Sequence, residues 1–185
     1  MEQCEHHLTV ERLREINSRP VDIETKLFII MTAPGTMMHE MSHYLMCKVT
    51  RTHVVHVQLI QLSAIPGHVI SREDSRNGIT RLLIGVAPLV FGVPVSIGCI
   101  LATKQVEPAL LKIPISYAGF CVATMMPPSV TDYNAEIMNP RRGIDKTAIK
   151  LACRMCKLTE GNVRTIRLVL GATYTICLLT TLGMG

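Results

Sequence analysis

The sequence contains no tryptophan, and aromatic residues make up only 4% of its 185 positions. Soluble cores lean on large aromatic side chains for much of their buried area, so this composition is unusual for a soluble domain, and the apolar runs decide between a soluble core and a membrane. Charge is sparse as well: charged residues are 18% of the chain, against about 25% in ordinary soluble domains. The first 26 residues, MEQCEHHLTVERLREINSRPVDIETK, lack the apolar stretch of a cleavable secretory signal. Insertion into a membrane would therefore depend on internal segments. The cysteines number seven, an odd count without paired spacing, which argues against a disulfide framework. Cys153 and Cys156 form one C-x-x-C with no second pair, and they read as two small residues on an amphipathic helix. Cys99, Cys121 and Cys177 lie in apolar runs and read as packing residues. No basic patch interleaved with aromatics is present, so the net charge of +5 does not point to nucleic acid.

What the chain does have is long apolar runs. Hydrophobic residues are 48% of the sequence, and the mean hydropathy is +0.32. Three runs contain no charged residue: Leu82–Thr103, Ile113–Thr131 and Leu168–Gly185, of 22, 19 and 18 residues. About 20 apolar residues suffice for a helix to cross the hydrocarbon core. A fourth segment, Leu27–Cys47, is long enough if taken as one element, although Ala33-Pro34-Gly35 breaks it or starts a new helix. Pro88 and Pro94 lie inside the second segment, where a membrane helix tolerates them better than a soluble one. Between the first two segments, Thr52–Ile70 is rich in β-branched residues, alternates in part and contains Pro66-Gly67, the pattern of a β-hairpin. Further predicted elements are short amphipathic helices over residues 5–17 and Ile144–Leu158. The expected fold is an all-α membrane protein with about four transmembrane helices and a small β-hairpin insert between helices 1 and 2. Residues 1–26 form a polar N-terminal segment, and 27–185 form a single membrane-embedded domain.

The chemistry concentrates in HEMSH, residues 39–43, a match to the H-E-x-x-H zinc pattern. A chance match is expected on the order of once per hundred chains of this composition. His39 and His43 are four apart and share a helix face, so both imidazoles can reach one Zn²⁺ at about 2.0–2.1 Å. In this pattern Glu40 acts as general base on zinc-activated water. Two histidines and a glutamate are costly in an apolar segment and are functional candidates there by default. A catalytic zinc takes a third protein ligand. The extended HExxHxxGxxH form is absent, because Met46 and Val49 stand where its Gly and third His would be. Downstream candidates are His53, His56, His68, Glu73, Asp74, Glu107, Asp132 and Glu136. If segment 1 ends near one membrane face, segment 2 leaves that face and segment 3 returns to it. This favours Asp132, just after segment 3, and disfavours Glu107 on the opposite face. His53 and His56 belong to a predicted strand with their rings on opposite faces, so both cannot ligate.

Together, PGTMMHEMSHYLMCKVT, the hairpin with PGHV, LLIGVAPLVFG and PPSVTDYNA resemble the small multi-pass membrane zinc metalloproteases related to the site-2 protease (M50-like) group. The resemblance covers about 33–136. It implies His39, His43 and Asp132 as zinc ligands, Glu40 as catalytic base, and hydrolysis of peptide bonds within or next to the membrane. The implied partners are the lipid bilayer and a membrane-protein or peptide substrate. Asp132 is followed by Tyr133-Asn134, where well-studied site-2 proteases have an LDG or NPDG signature, and no PDZ-like insert is present. The hairpin is expected to offer an edge strand to an unwound substrate.

The loops on the side of the motif hold eleven Lys and Arg residues, against six on the other side. The positive-inside bias places the active site toward the cytoplasm in a multi-pass protein, with the basic helix near Ile144–Leu158 on the anionic leaflet. The competing expectations are a catalytically inactive membrane protein with a structural or partner-binding metal site, and an ion transporter using intramembrane His and Glu.

Overall fold

The computed structural model describes residues 15–71, 78–127 and 163–183. Its elements run in the order α1 (Ile23–Val49), β1 (Val54–Gln58), β2 (His68–Ser71), α2 (Gly78–Gln105), α3 (Ala109–Met125) and α4 (Val163–Gly183). The described chain is thus mostly helical, with one two-stranded antiparallel sheet between the first two long helices. The predicted helices over residues 5–17 and Ile144–Leu158 lie outside the described residues, except that 15–17 form a helical turn.

Helix α1 starts at Ile23, just before the polar N-terminal segment ends. The Asp22 side chain accepts from the Thr25 N–H at 2.6 Å and caps the helix. These hydrogen bonds from Thr25 hold the Asp22 carboxyl below its ordinary range. The break expected at Ala33-Pro34-Gly35 does not occur: α1 is continuous through Pro34. Pro34 has no N–H for the carbonyl four residues earlier, and α3 supplies donors beside that gap. Tyr117 Oη donates to the Met31 carbonyl, and Cys121 Sγ reaches the same oxygen at 3.4 Å. Gly35 lets the two helices approach, because a Cβ there would collide with the Cys121 carbonyl and would lie 2.8 Å from Met125 Cγ. At its C-terminus, α1 closes with Thr52 N–H to Cys47 O at 2.7 Å and Arg51 N–H to Lys48 O at 3.1 Å. Arg51 there has φ 53°, the left-handed conformation glycine usually supplies.

In the hairpin, Val57 pairs with Val69, His56 with Ile70 and Gln58 with His68, with an irregularity between Val54 and His56. Pro66-Gly67 is not the tip of a tight turn; it leads into β2 after a long loop closed by Gln61 N–H to Pro66 O at 2.6 Å. Val54 and Val69 pack on Met46, Cys47, Ile84 and Ala87, which fastens the hairpin to α1 and α2. The Ile65 N–H also donates to Asn17 Oδ1 at 3.1 Å, tying the loop to the N-terminal turn.

Helix α3 is central and packs on α1, α2 and α4. It begins at Ala109, four residues ahead of the apolar run Ile113–Thr131, and residues 106–108 join it to α2. Among the described residues, two stretches are long and apolar enough to cross a membrane: Leu82–Gln105 in α2 and Thr165–Gly183 in α4. Leu110–Met125 in α3 is apolar but shorter. The two spans are only 33% and 11% buried within the protein. A core helix of a soluble domain would be mostly buried, whereas here Leu168, Ile176 and Leu179 all stand more than 60% exposed. Cys177 shares this exposure, so it is not the packing residue its apolar run implies, while Cys121 is fully packed.

Candidate metal centre

The site grows from the middle of α1. His43 and Glu40 are 5% and 9% exposed, Ser42 is fully buried and His39 is half-buried. Burial of these groups needs partners for their polar atoms: Ser42 Oγ donates to the Met38 carbonyl of its own helix at 2.6 Å, and two other helices supply partners for the histidines. His39 Nδ1 lies 2.8 Å from the carbonyl oxygen of Met125. Met125 closes α3, so its carbonyl belongs to the last turn and has no intrahelical donor. His43 Nδ1 lies 2.8 Å from the carbonyl oxygen of Ile84 in α2. Four residues after Ile84 comes Pro88, which has no N–H to give. The proline therefore leaves the Ile84 carbonyl open to the imidazole. The sequence signal was visible, but its role depends on which side chain arrives at that oxygen.

A carbonyl only accepts, so each Nδ1 carries a proton, and in the neutral ring that ligates a metal the lone pair is then on Nε2. The two Nε2 atoms face each other at 3.2 Å, with ring centroids 4.9 Å apart and planes at 74°. Two ligand bonds of about 2.0–2.1 Å meeting at a tetrahedral angle put the nitrogens about 3.3–3.4 Å apart. The spacing and the tautomers thus fit one shared cation, and the carbonyl partners are of the kind that orient metal-bound histidines.

Glu40, between the two, turns toward the hairpin. A Cβ on Gly67 would lie 2.6 Å from Glu40 Cγ, 3.2 Å from its Cδ and 3.0 Å from the Leu59 carbonyl oxygen. Gly67 does not have a positive φ, so glycine is required there by close approach rather than by backbone conformation. The segment entering β2 lies directly on the Glu40 side chain.

Among the described residues, no group of three or more His, Cys, Asp or Glu is placed to hold one metal ion. Asp132, Glu73, Asp74 and Glu136 lie outside the described residues, as do Cys153 and Cys156. Glu107 is exposed in the loop after α2, about 30 Å along the helix axis from Ile84. His53 is exposed ahead of β1. His56 and His68 sit on the hairpin with their ring centroids 5.2 Å apart, a pairing that sequence reading missed because it weighed His53 with His56. Burial, and then the charge of His56, hold the His68 imidazole below its ordinary value.

Gly35, Met38, His39, Gly92, Met125 and Met126 line a narrow cleft among α1, α2 and α3. No family model, no curated protein and no solved structure matches this chain.

Proposed function

We propose that the protein is a zinc-dependent membrane endopeptidase of the site-2 protease type, hydrolysing peptide bonds within or next to the bilayer. The observation behind this reading is the histidine pair: both rings give Nδ1–H to a backbone carbonyl while their Nε2 atoms converge at 3.2 Å. His39 and His43 would hold the ion, and Asp132 is the third ligand. The last carbonyl of α3 touches His39, and Met126 and Pro127 remain buried there. The chain leading to Asp132 therefore sets out from beside the ligand pair, which favours that assignment over Glu107.

Zinc, when bound, supplies a Lewis acid for the scissile carbonyl and acidifies water. The chain's own residues do the rest. Glu40 takes a proton on its carboxylate as water attacks and returns it to the leaving amine. Gly67 and the hairpin cover Glu40 and limit water around it. The outer edges of β1 and β2 offer backbone groups to an unwound substrate segment.

Four membrane-spanning segments complete the proposal. Helix α1 crosses with its histidines facing α2 and α3, the shorter α3 crosses where the bilayer is locally thinned, and the excess of Lys and Arg on the motif side directs the site to the cytoplasm.

Zinc content and peptide hydrolysis of the detergent-purified protein test this. Wild type and Glu40→Gln are expected to hold zinc at the HEMSH site, and His39→Ala, His43→Ala and Asp132→Ala to lose that equivalent. Hydrolysis by Glu40→Gln is expected to fall by about 10²–10⁴. Absence of zinc from wild type overturns the proposal, and full zinc affinity in Asp132→Ala overturns the third ligand.

A further inference from the structure

The hairpin contains a second histidine pair, separate from the HEMSH motif. The register decides where its rings go. His56 pairs with Ile70 and Gln58 with His68, so His56 and His68 are diagonal neighbours on one face of the ladder. Val69, which points to the other face, packs on the cluster of Met46, Ile84 and Ala87. The histidine face therefore looks away from the α1–α2 contact.

We propose that His56 and His68 form a second, two-histidine binding site for a divalent transition metal on the hairpin. Three observations meet there. The ring centroids are 5.2 Å apart, close to the 4.9 Å of the His39–His43 pair. Two imidazoles on one ion, with metal–nitrogen bonds of about 2.0–2.1 Å, place their ring centres roughly 4.5–5.2 Å apart for bond angles between right and tetrahedral. Finally, His68 Nδ1 is buried without a hydrogen-bond partner among the described residues. Burying a ring nitrogen in that state is costly, and a ligated ion would relieve it.

The donor set selects the ion. Two neutral imidazoles suit Zn²⁺, Cu²⁺ or Ni²⁺ and not Mg²⁺ or Ca²⁺, which take oxygen ligands. The site also has a mechanical consequence. An ion joining β1 to β2 closes the loop between residues 56 and 68. Gly67, the neighbour of His68, lies on Glu40. Occupancy of the hairpin site therefore fixes the segment that covers Glu40, which couples the second ion to access at the first site. The binding itself does not depend on the proposed hydrolysis.

The test is a Zn²⁺ titration of the full-length, detergent-solubilised, chelator-stripped protein, repeated with Cu²⁺ under electron paramagnetic resonance. Wild type is expected to take one equivalent at the hairpin in addition to any bound by His39 and His43. His56→Gln and His68→Gln should each weaken the hairpin equivalent by at least about tenfold and leave the other unchanged. In His39→Ala the hairpin equivalent should persist, with Cu²⁺ spectra showing coupling to two imidazole nitrogens. Circular dichroism of the Gln variants checks that the fold is retained. A wild type whose metal is all lost in His39→Ala overturns the inference, as does a hairpin equivalent that survives both Gln substitutions. A wild type that takes the hairpin equivalent alone, with no equivalent that depends on His39, sinks the proposed function and leaves this site standing.

Discussion

Replacing Pro88 with alanine is the sharpest test of how the helix bundle sets up the histidines. Pro88 is fully buried in α2, and its missing N–H leaves the Ile84 carbonyl to accept from His43 Nδ1 at 2.8 Å. Alanine restores an N–H aimed at that same oxygen. A carbonyl has two lone pairs, so the imidazole bond is shared rather than lost. Complete loss of such an orienting partner costs about 10–100-fold in metal affinity. Sharing sets the expectation near the lower end, about tenfold or about 1.4 kcal/mol. The effect on stability has the opposite sign. Removing proline from a helix interior is worth up to about 3 kcal/mol in soluble hosts, less in a membrane helix whose neighbours satisfy the gap. The void left by the ring takes back about 1 kcal/mol. The Pro88→Ala protein should therefore unfold no earlier than wild type and yet bind zinc more weakly. Competition with a chromophoric chelator in detergent, run beside a thermal melt, measures both. Pro94→Ala is the control, since Pro94 is exposed and no histidine bond to the carbonyl it frees is observed among the described residues. Unchanged affinity in Pro88→Ala, or equal weakening in Pro94→Ala, refutes the account.

Three further outcomes follow from the packing. Gly67→Val places side-chain atoms where Glu40 and the Leu59 carbonyl already lie; peptide hydrolysis should fall by about tenfold or more while zinc content stays at the wild-type level, and a loss of zinc instead would mean the hairpin supports the ligands themselves. Gly35→Leu forces α1 from α3 at Cys121 and should destabilise by about 3 kcal/mol or more, seen as early melting and loss of the Tyr117–Met31 bond; a normal melt would show that the helices are not in close contact. Asp22 titrates with a known sign: Thr25 holds its folded pKa below 3.8, so its contribution to the start of α1 is full above that value and disappears as pH falls through the folded pKa. Amide exchange at Thr25 and Lys26 in acid, compared with Asp22→Ala, reads this; an Asp22→Ala protein with the same acid response as wild type would assign the fraying elsewhere.

Much of the scaffold was legible because it is written in local pattern. The apolar run Leu82–Thr103 became most of α2, and the alternation in Thr52–Ile70 became the hairpin. Helix α1 was harder, since Pro34-Gly35 is a strong local break signal. It was overridden by the Tyr117 and Cys121 side chains and by the close approach that Gly35 permits, all on a helix more than eighty residues downstream. The hairpin turn was misjudged for a related reason: Gly67 answers to contact with Glu40 and not to backbone conformation.

The sequence alone determined that His39 and His43 share one face, because a four-residue spacing on a helix leaves no choice. It also determined that two stretches long and apolar enough to cross a bilayer follow the motif among the described residues. Only the tertiary structure decided which nitrogen of each ring meets a backbone carbonyl, and hence that both Nε2 atoms point to one place. That choice is made by the carbonyls of Met125 and Ile84, lying 86 and 41 residues away in the chain. One is open because a helix ends there and the other because a proline follows, and no local pattern brings either oxygen to a histidine. Packing does, which is also why the cross-strand pair of His56 and His68 emerged only once the register of the hairpin was fixed.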